Sequence, residues 1–115
     1  MIYDITPVPK PRMTQRDKWQ KRPAVLRYRE FCDQVRAAGI EIKQQGSEIT
    51  FYLPMPKSWS KKKRQEMDGQ PHKQKPDLDN IIKALLDAVH DEDCEVWSLA
   101  AEKRWSEKGG VRIDG

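Results

Sequence analysis

The chain has two cysteines, two histidines and six glycines in 115 residues, and no run approaching the roughly 18 consecutive apolar side chains of a membrane span. Cys32 and Cys94 share no C-x-x-C spacing, so they read as two free thiols in a reducing compartment and not as a disulfide framework. A zinc site would have to gather His72, His90, Cys32 and Cys94 from unpaired positions, and no spacing assigns either cysteine a histidine partner for nucleophilic work. The N-terminus lacks the apolar stretch of a secretory leader, which makes a cytoplasmic protein the expectation. With 37% hydrophobic and 35% charged residues, the length suits one domain over 1–115 with a modest core. A dimer interface would be a natural further place to bury apolar surface.

Charge is abundant but segregated. The formal net charge is +4, yet seven of the nineteen residues from Asp77 to Glu95 are carboxylates against the single Lys83. Crowding that much negative charge is costly unless a cation or solvent relieves it. From Lys10 to Arg29 there are eight basic residues against Asp17, and from Lys57 to Lys75 seven against Glu66 and Asp68. Two basic blocks flanking an acidic centre suit a polyanion held by its phosphates while a divalent cation works at one of them. The candidate phosphate contacts are Arg12, Arg16, Lys61, Lys62, Lys63, Arg64, Lys73 and Lys75.

Periodicity orders the elements. Met1 to Ile5 alternates as a short strand that Pro7, Pro9 and Pro11 end, opening a basic loop to Arg22. Pro23 can start a helix with Val25, Tyr28, Cys32 and Val35 on one face and Gly39 as its stop. Ser47 to Leu53 reads as a half-buried strand whose Ile49, Phe51 and Leu53 serve either the core or a dimer surface. Ser58 is the expected cap of a short basic helix that ends at Asp68-Gly69, and 70–75 is expected to move unless phosphate or a partner strand orders it. Leu78, Ile81, Ile82, Leu85, Leu86 and Val89 form the strongest helical stripe, with Asp79, Lys83 and Asp87 in a row opposite. Val96 to Trp105 reads as a strand and Val111 to Ile113 as its hairpin partner across Gly109-Gly110, with Trp97 and Trp105 in the core and Trp59 partly exposed. The fold class is α+β, a small mixed sheet packed with helices.

Asp77 falls near the cap of the long helix and Asp79 inside its first turn, where free N–H groups favour carboxylates. Two such groups can ligate one hard divalent cation if a third oxygen arrives, and Asp91-Glu92-Asp93 can supply it. Lys83, one turn beyond Asp79, would stand beside the ion, where an ammonium can neutralise a phosphorane-like transition state or position water. The competing reading gives Asp77 to capping, pairs Asp79 with Lys83 and leaves the later acids solvated. An EF-hand is excluded, because Ile81 and Ile82 stand where its third ligand and glycine belong.

The stretch from Lys75-Pro76-Asp77-Leu78-Asp79-Asn80 through Lys83 and Asp87-Ala88-Val89 to Asp91-Glu92-Asp93-Cys94-Glu95-Val96 resembles the signature of RusA-type Holliday junction resolvases. Met55 to Arg64 resembles, more loosely, the versions carried by prophages. The resemblance implies metal-binding acids at Asp77, Asp79 and Asp93, a catalytic lysine at Lys83, and supporting acids at Asp87 and Asp91. It implies a homodimeric endonuclease dependent on Mg²⁺, with Mn²⁺ as the alternative ion, that resolves four-way DNA junctions by paired symmetric nicks in recombination and repair. Glu92 and Glu95 depart from the pattern, standing where the family often has Asp and Gln. A non-catalytic nucleic-acid-binding or architectural domain, and an inactive prophage copy, are the alternatives.

Overall fold

The computed structural model describes residues 1–11, 22–90 and 95–114. The element order is β1 (Ile2–Tyr3), α1 (Pro23–Ala38), β2 (Gln45–Pro54), α2 (Lys61–Met67), α3 (Leu78–Val89), β3 (Ser98–Ser106) and β4 (Gly110–Asp114). One four-stranded sheet runs in the order β1-β4-β2-β3, with β2 parallel to β3 and antiparallel to β4. The α+β expectation holds.

Pro23 opens α1 because a residue without an N–H costs nothing in a first turn. Gly39 closes it at φ 67, with the Gly39 and Ile40 amides donating back to the Arg36 and Val35 carbonyls. The buried face is Val25, Phe31, Cys32 and Val35. In α3 the apolar stripe turns inward as its spacing predicts, and Ala84 and Ala88 join it where α1 packs closely. Ile81 and Leu85 are fully buried, each contributing about 1.5–3 kcal/mol of hydrophobic stabilisation. Ile49, Phe51 and Leu53 of β2 are internal, so they build the core and not a dimer surface.

The terminal strands do not form the expected hairpin. β4 pairs with β2 and β1, and β2 lies between it and β3. The parallel β2 and β3 pair requires a crossover, which α2 and α3 provide, and β2 then offers its second edge to β4. The far edge of β3 is occupied instead by the segment after α2. Gln70 accepts from the Trp105 amide at 2.9 Å, His72 donates to the Lys103 carbonyl at 3.0 Å, and Pro71 bridges Arg104. The 70–75 segment is therefore a strap ordered by its own chain's edge strand.

Three local expectations are corrected. The cap of α2 is Ser60, whose hydroxyl accepts from the Lys63 amide at 3.2 Å, and Ser58 lies too early for that bond. The first strand is only Ile2–Tyr3, paired with Arg112 and Val111 of β4 and extended by the reciprocal backbone bonds of Met1 with Ile113, while Asp4 and Ile5 do not join the ladder. Trp97 is 69% exposed, since β3 begins one residue later and the Trp97 amide is tied to the Gln44 carbonyl. Trp105 is buried as expected, against Trp59 in a tilted ring contact at 4.7 Å between centroids.

His72 is buried against Trp105, with ring centroids 4.1 Å apart, and Nδ1 has no hydrogen-bond partner among the described residues. Burial, reinforced by the nearby Lys103 ammonium, holds its pKa below the ordinary 6.5. The unfolded chain then takes a proton near pH 6.5 that the folded one refuses, so stability is full above that pH and is lost as pH falls toward the lowered folded value. Thermal melts between about pH 7 and about pH 5 should show this loss, and His72→Leu should flatten it. An undiminished acid loss in His72→Leu would assign the effect to other groups.

Candidate active site

The N-terminus of α3 presents the two acids. Asp77 occupies the N-cap with extended backbone, yet its side chain makes no capping hydrogen bond to the helix. The helix does not consume this carboxylate, against the reading in which Asp77 serves only as a cap. Asp79 follows in the first turn, and both side chains are exposed. The positive end of the helix dipole favours negative charge here, so two carboxylates are tolerated at this helix end.

The approach to this helix end is held from β3. Lys103 Nζ donates to the Gln74 carbonyl and, at 2.7 Å, to the Pro76 carbonyl, bracketing the cis Lys75–Pro76 bond that leads into Asp77. Sequence reasoning missed Lys103, since a lysine on a strand carries no signal of which carbonyls it will reach. On the other side, the Lys10 amide donates to the Asn80 carbonyl at 3.4 Å, and Pro9, Lys75, Pro76, Asp77 and Asn80 line a shared cleft. The N-terminal strap is thus one wall of the site.

Lys83 and Asp87 continue the row of charged side chains down α3. Lys83 Nζ stands 3.9 Å from Asp87, and Asp87 is also bonded by Lys10 Nζ. Asp87 further adds to the burial and the Cys32 hydrogen bond that push the Tyr28 hydroxyl far above its usual pKa. Asp91 and Asp93 lie outside the described residues. Helix rise places His90 about 20 Å from Asp77 along the axis, where the His90 ring meets the Ile42 carbonyl at 3.2 Å. Among the described residues no group of three His, Cys, Asp or Glu side chains is placed to hold a metal ion. Asp77 and Asp79 are hard oxygen donors, the ligand type that a hard divalent cation takes.

The second basic block reaches the same end of the sheet. Lys61, Lys62 and Lys63 are exposed on α2, and Lys63 Nζ lies 4.4 Å over the Trp59 ring. Arg64 is committed to structure, donating to the Pro56 carbonyl at 3.1 Å and approaching Glu107 at 3.8 Å. Trp59, Trp105 and His72 form a chain of tilted ring contacts from the turn before α2 to the 70–75 strap, which carries exposed Lys73 and Lys75 up to Asp77. Arg12 and Arg16 lie outside the described residues.

The protein-family model described as Endodeoxyribonuclease RusA matches residues 4–114, nearly the whole chain. The chain belongs to the RusA endodeoxyribonuclease family. No curated protein and no solved structure matches it. The RusA match takes in all three helices and the strands β2, β3 and β4, and leaves out the edge strand β1 at Ile2–Tyr3. No helix among the described residues is long and apolar enough to cross a membrane.

Proposed function

We propose that this RusA-family chain acts as a homodimer that nicks four-way DNA junctions with Mg²⁺, or Mn²⁺ in its place, during recombination and repair. The observation that carries the reading is the exposed Asp77 and Asp79 pair at the α3 N-terminus, where Asp77 makes no capping hydrogen bond and Lys73 and Lys75 precede the pair along the chain.

Asp77, Asp79 and Asp93 would hold the ion, with Asp91 and Asp87 as supporting acids. When bound, the ion supplies Lewis-acid stabilisation of the phosphoryl oxygens and a more acidic water. Lys83 lies one helical turn beyond Asp79, and its ammonium neutralises charge that grows on the scissile phosphate. Lys61, Lys62, Lys63, Lys73 and Lys75 bind the backbone of the arms, and Arg64 supports them by fixing α2. Lys103 keeps Asp77 at its station by holding the carbonyls before it. A two-fold dimer would offer two such sites to a two-fold junction, which suits paired nicks.

The test is cleavage of an end-labelled synthetic four-way junction beside a linear duplex of the same sequence. Mg²⁺ should yield nicked junction in preference to cut duplex, and a chelator should stop it. Salt-sensitive binding with no product under either metal would replace this reading with an architectural domain or an inactive copy.

A further inference from the structure

The end of α2 and the 70–75 strap enclose a cleft to which the function above gives no role. Met67, Gln70, Pro71, Lys73, Gln74 and Trp105 line a volume of about 310 Å³. A cavity of roughly 150 Å³ accepts benzene, so a planar heteroaromatic ring has room here. Trp105 is the one buried member and forms the floor, already in ring contact with Trp59 and His72. The frame is tied to β3 before anything binds. The Gly69 amide donates to the Trp105 carbonyl and the Trp105 amide to the Gln70 carbonyl, both at 2.9 Å, while Lys103 Nζ holds the Gln74 carbonyl. These bonds use main chain, and the side-chain amides of Gln70 and Gln74 make no hydrogen bond among the described residues.

A side-chain amide donates and accepts at once, which is the pairing that the edge of a nucleobase offers. Met67 and Pro71 supply apolar sides for the ring, and Lys73 supplies an ammonium for the phosphate of the same nucleotide. None of the six lining residues is acidic. Exposed Lys61, Lys62 and Lys63 precede the cleft on α2 and exposed Lys75 follows it, so a polyanion is drawn past its mouth from both sides. Gln74 stands three residues before Asp77, at most about 11 Å away between Cα atoms. We propose that this cleft binds an unpaired nucleobase of the DNA strand presented to Asp77 and Asp79, and that this capture favours a branch point over continuous duplex. Extracting a base from duplex costs stacking and pairing that an open base at a branch has already lost. The inference rests on the junction reading for its substrate, but base capture is measured without metal and without cleavage.

The probe is a short single-stranded deoxyoligonucleotide, compared in the presence of a chelator with a copy that carries abasic sugars on the same phosphates. The wild type should bind the base-bearing strand about tenfold tighter. The double variant Gln70→Ala, Gln74→Ala keeps every main-chain bond named above and every lysine. It should bind the two strands alike, with its affinity for the abasic strand unchanged. Gln74→Glu, which keeps the shape of the side chain but removes its donor, should lower the ratio as well and serves if the double variant does not fold. On a four-way junction and a linear duplex, the double variant should lose about tenfold of junction preference at constant duplex affinity. A wild type that binds both strands equally overturns the inference, as does a folded double variant that keeps the whole ratio or the whole junction preference. A wild type that prefers the base-bearing strand but cuts no junction defeats the proposed function and still supports base capture by the cleft.

Discussion

Asp79→Asn is expected to lower junction cleavage by roughly 10³-fold or more, a barrier increase of about 4 kcal/mol at 1.4 kcal/mol per tenfold. Asp79 is exposed in the first turn of α3, so the amide should be accommodated without strain and the melting temperature should change little. Replacing a carboxylate by its neutral isostere removes a charged oxygen ligand while keeping the shape of the helix end. It also removes repulsion toward phosphate, so junction affinity should hold or tighten. Cleavage and gel-shift assays on the same preparation separate the two effects. An Asp79→Asn protein that cuts at a rate near the wild type would remove the acid pair from the chemistry, whatever it did to binding.

Gly109→Ala should give the largest loss of stability among single-methyl changes. A Cβ at Gly109 would lie 2.3 Å from Thr6 Oγ1 and 2.7 Å from the Thr6 Cα, and the second of these is backbone that cannot rotate away. The strap must therefore move, at a cost of about 1–3 kcal/mol, which in a domain of this size lowers Tm by about 3–6 °C per kcal/mol. Thr6 lies four residues before Lys10, so the displacement should also reduce cleavage through the strap. Gly110 is the control: its added Cβ would meet the Tyr3 carbonyl at 3.5 Å and the Tyr52 ring at 3.6 Å, ordinary contacts. Calorimetry that found the two variants equally stable would show that the strap does not press on Gly109.

The same glycine shows why turn composition does not predict how the C-terminal strands pair. Gly109-Gly110 has the composition of a tight hairpin turn, but its first glycine is needed for the close approach of Thr6 and the strands around it do not pair. Local turn chemistry says that the chain reverses there. It does not say which strand lies alongside, because pairing is decided by which edges remain open once the longest strand has taken the centre. The exposure of Trp97 has a similar origin, since one residue of strand boundary moves a side chain from the sheet to solvent. Ser58 and Ser60 are both plausible caps by type, and only the position of the first helical turn selects Ser60.

What the chain determined alone is what depends on neighbours within a few residues: the 3.6-residue stripe of α3, the Pro23 start and Gly39 stop of α1, the alternation of β2, and the Asp77 and Asp79 pair that helix geometry must place at one end. These are short-range consequences of backbone periodicity and of residue type. Tertiary structure alone decided that β2 stands between β3 and β4, that the strap at 70–72 closes the β3 edge, and that Lys103 and Lys10 reach the α3 helix end and Asp87 from 27 and 77 residues away. Such long contacts leave no periodic trace, because a lysine that grips a distant carbonyl or carboxylate looks, along the chain, like any other solvated charge.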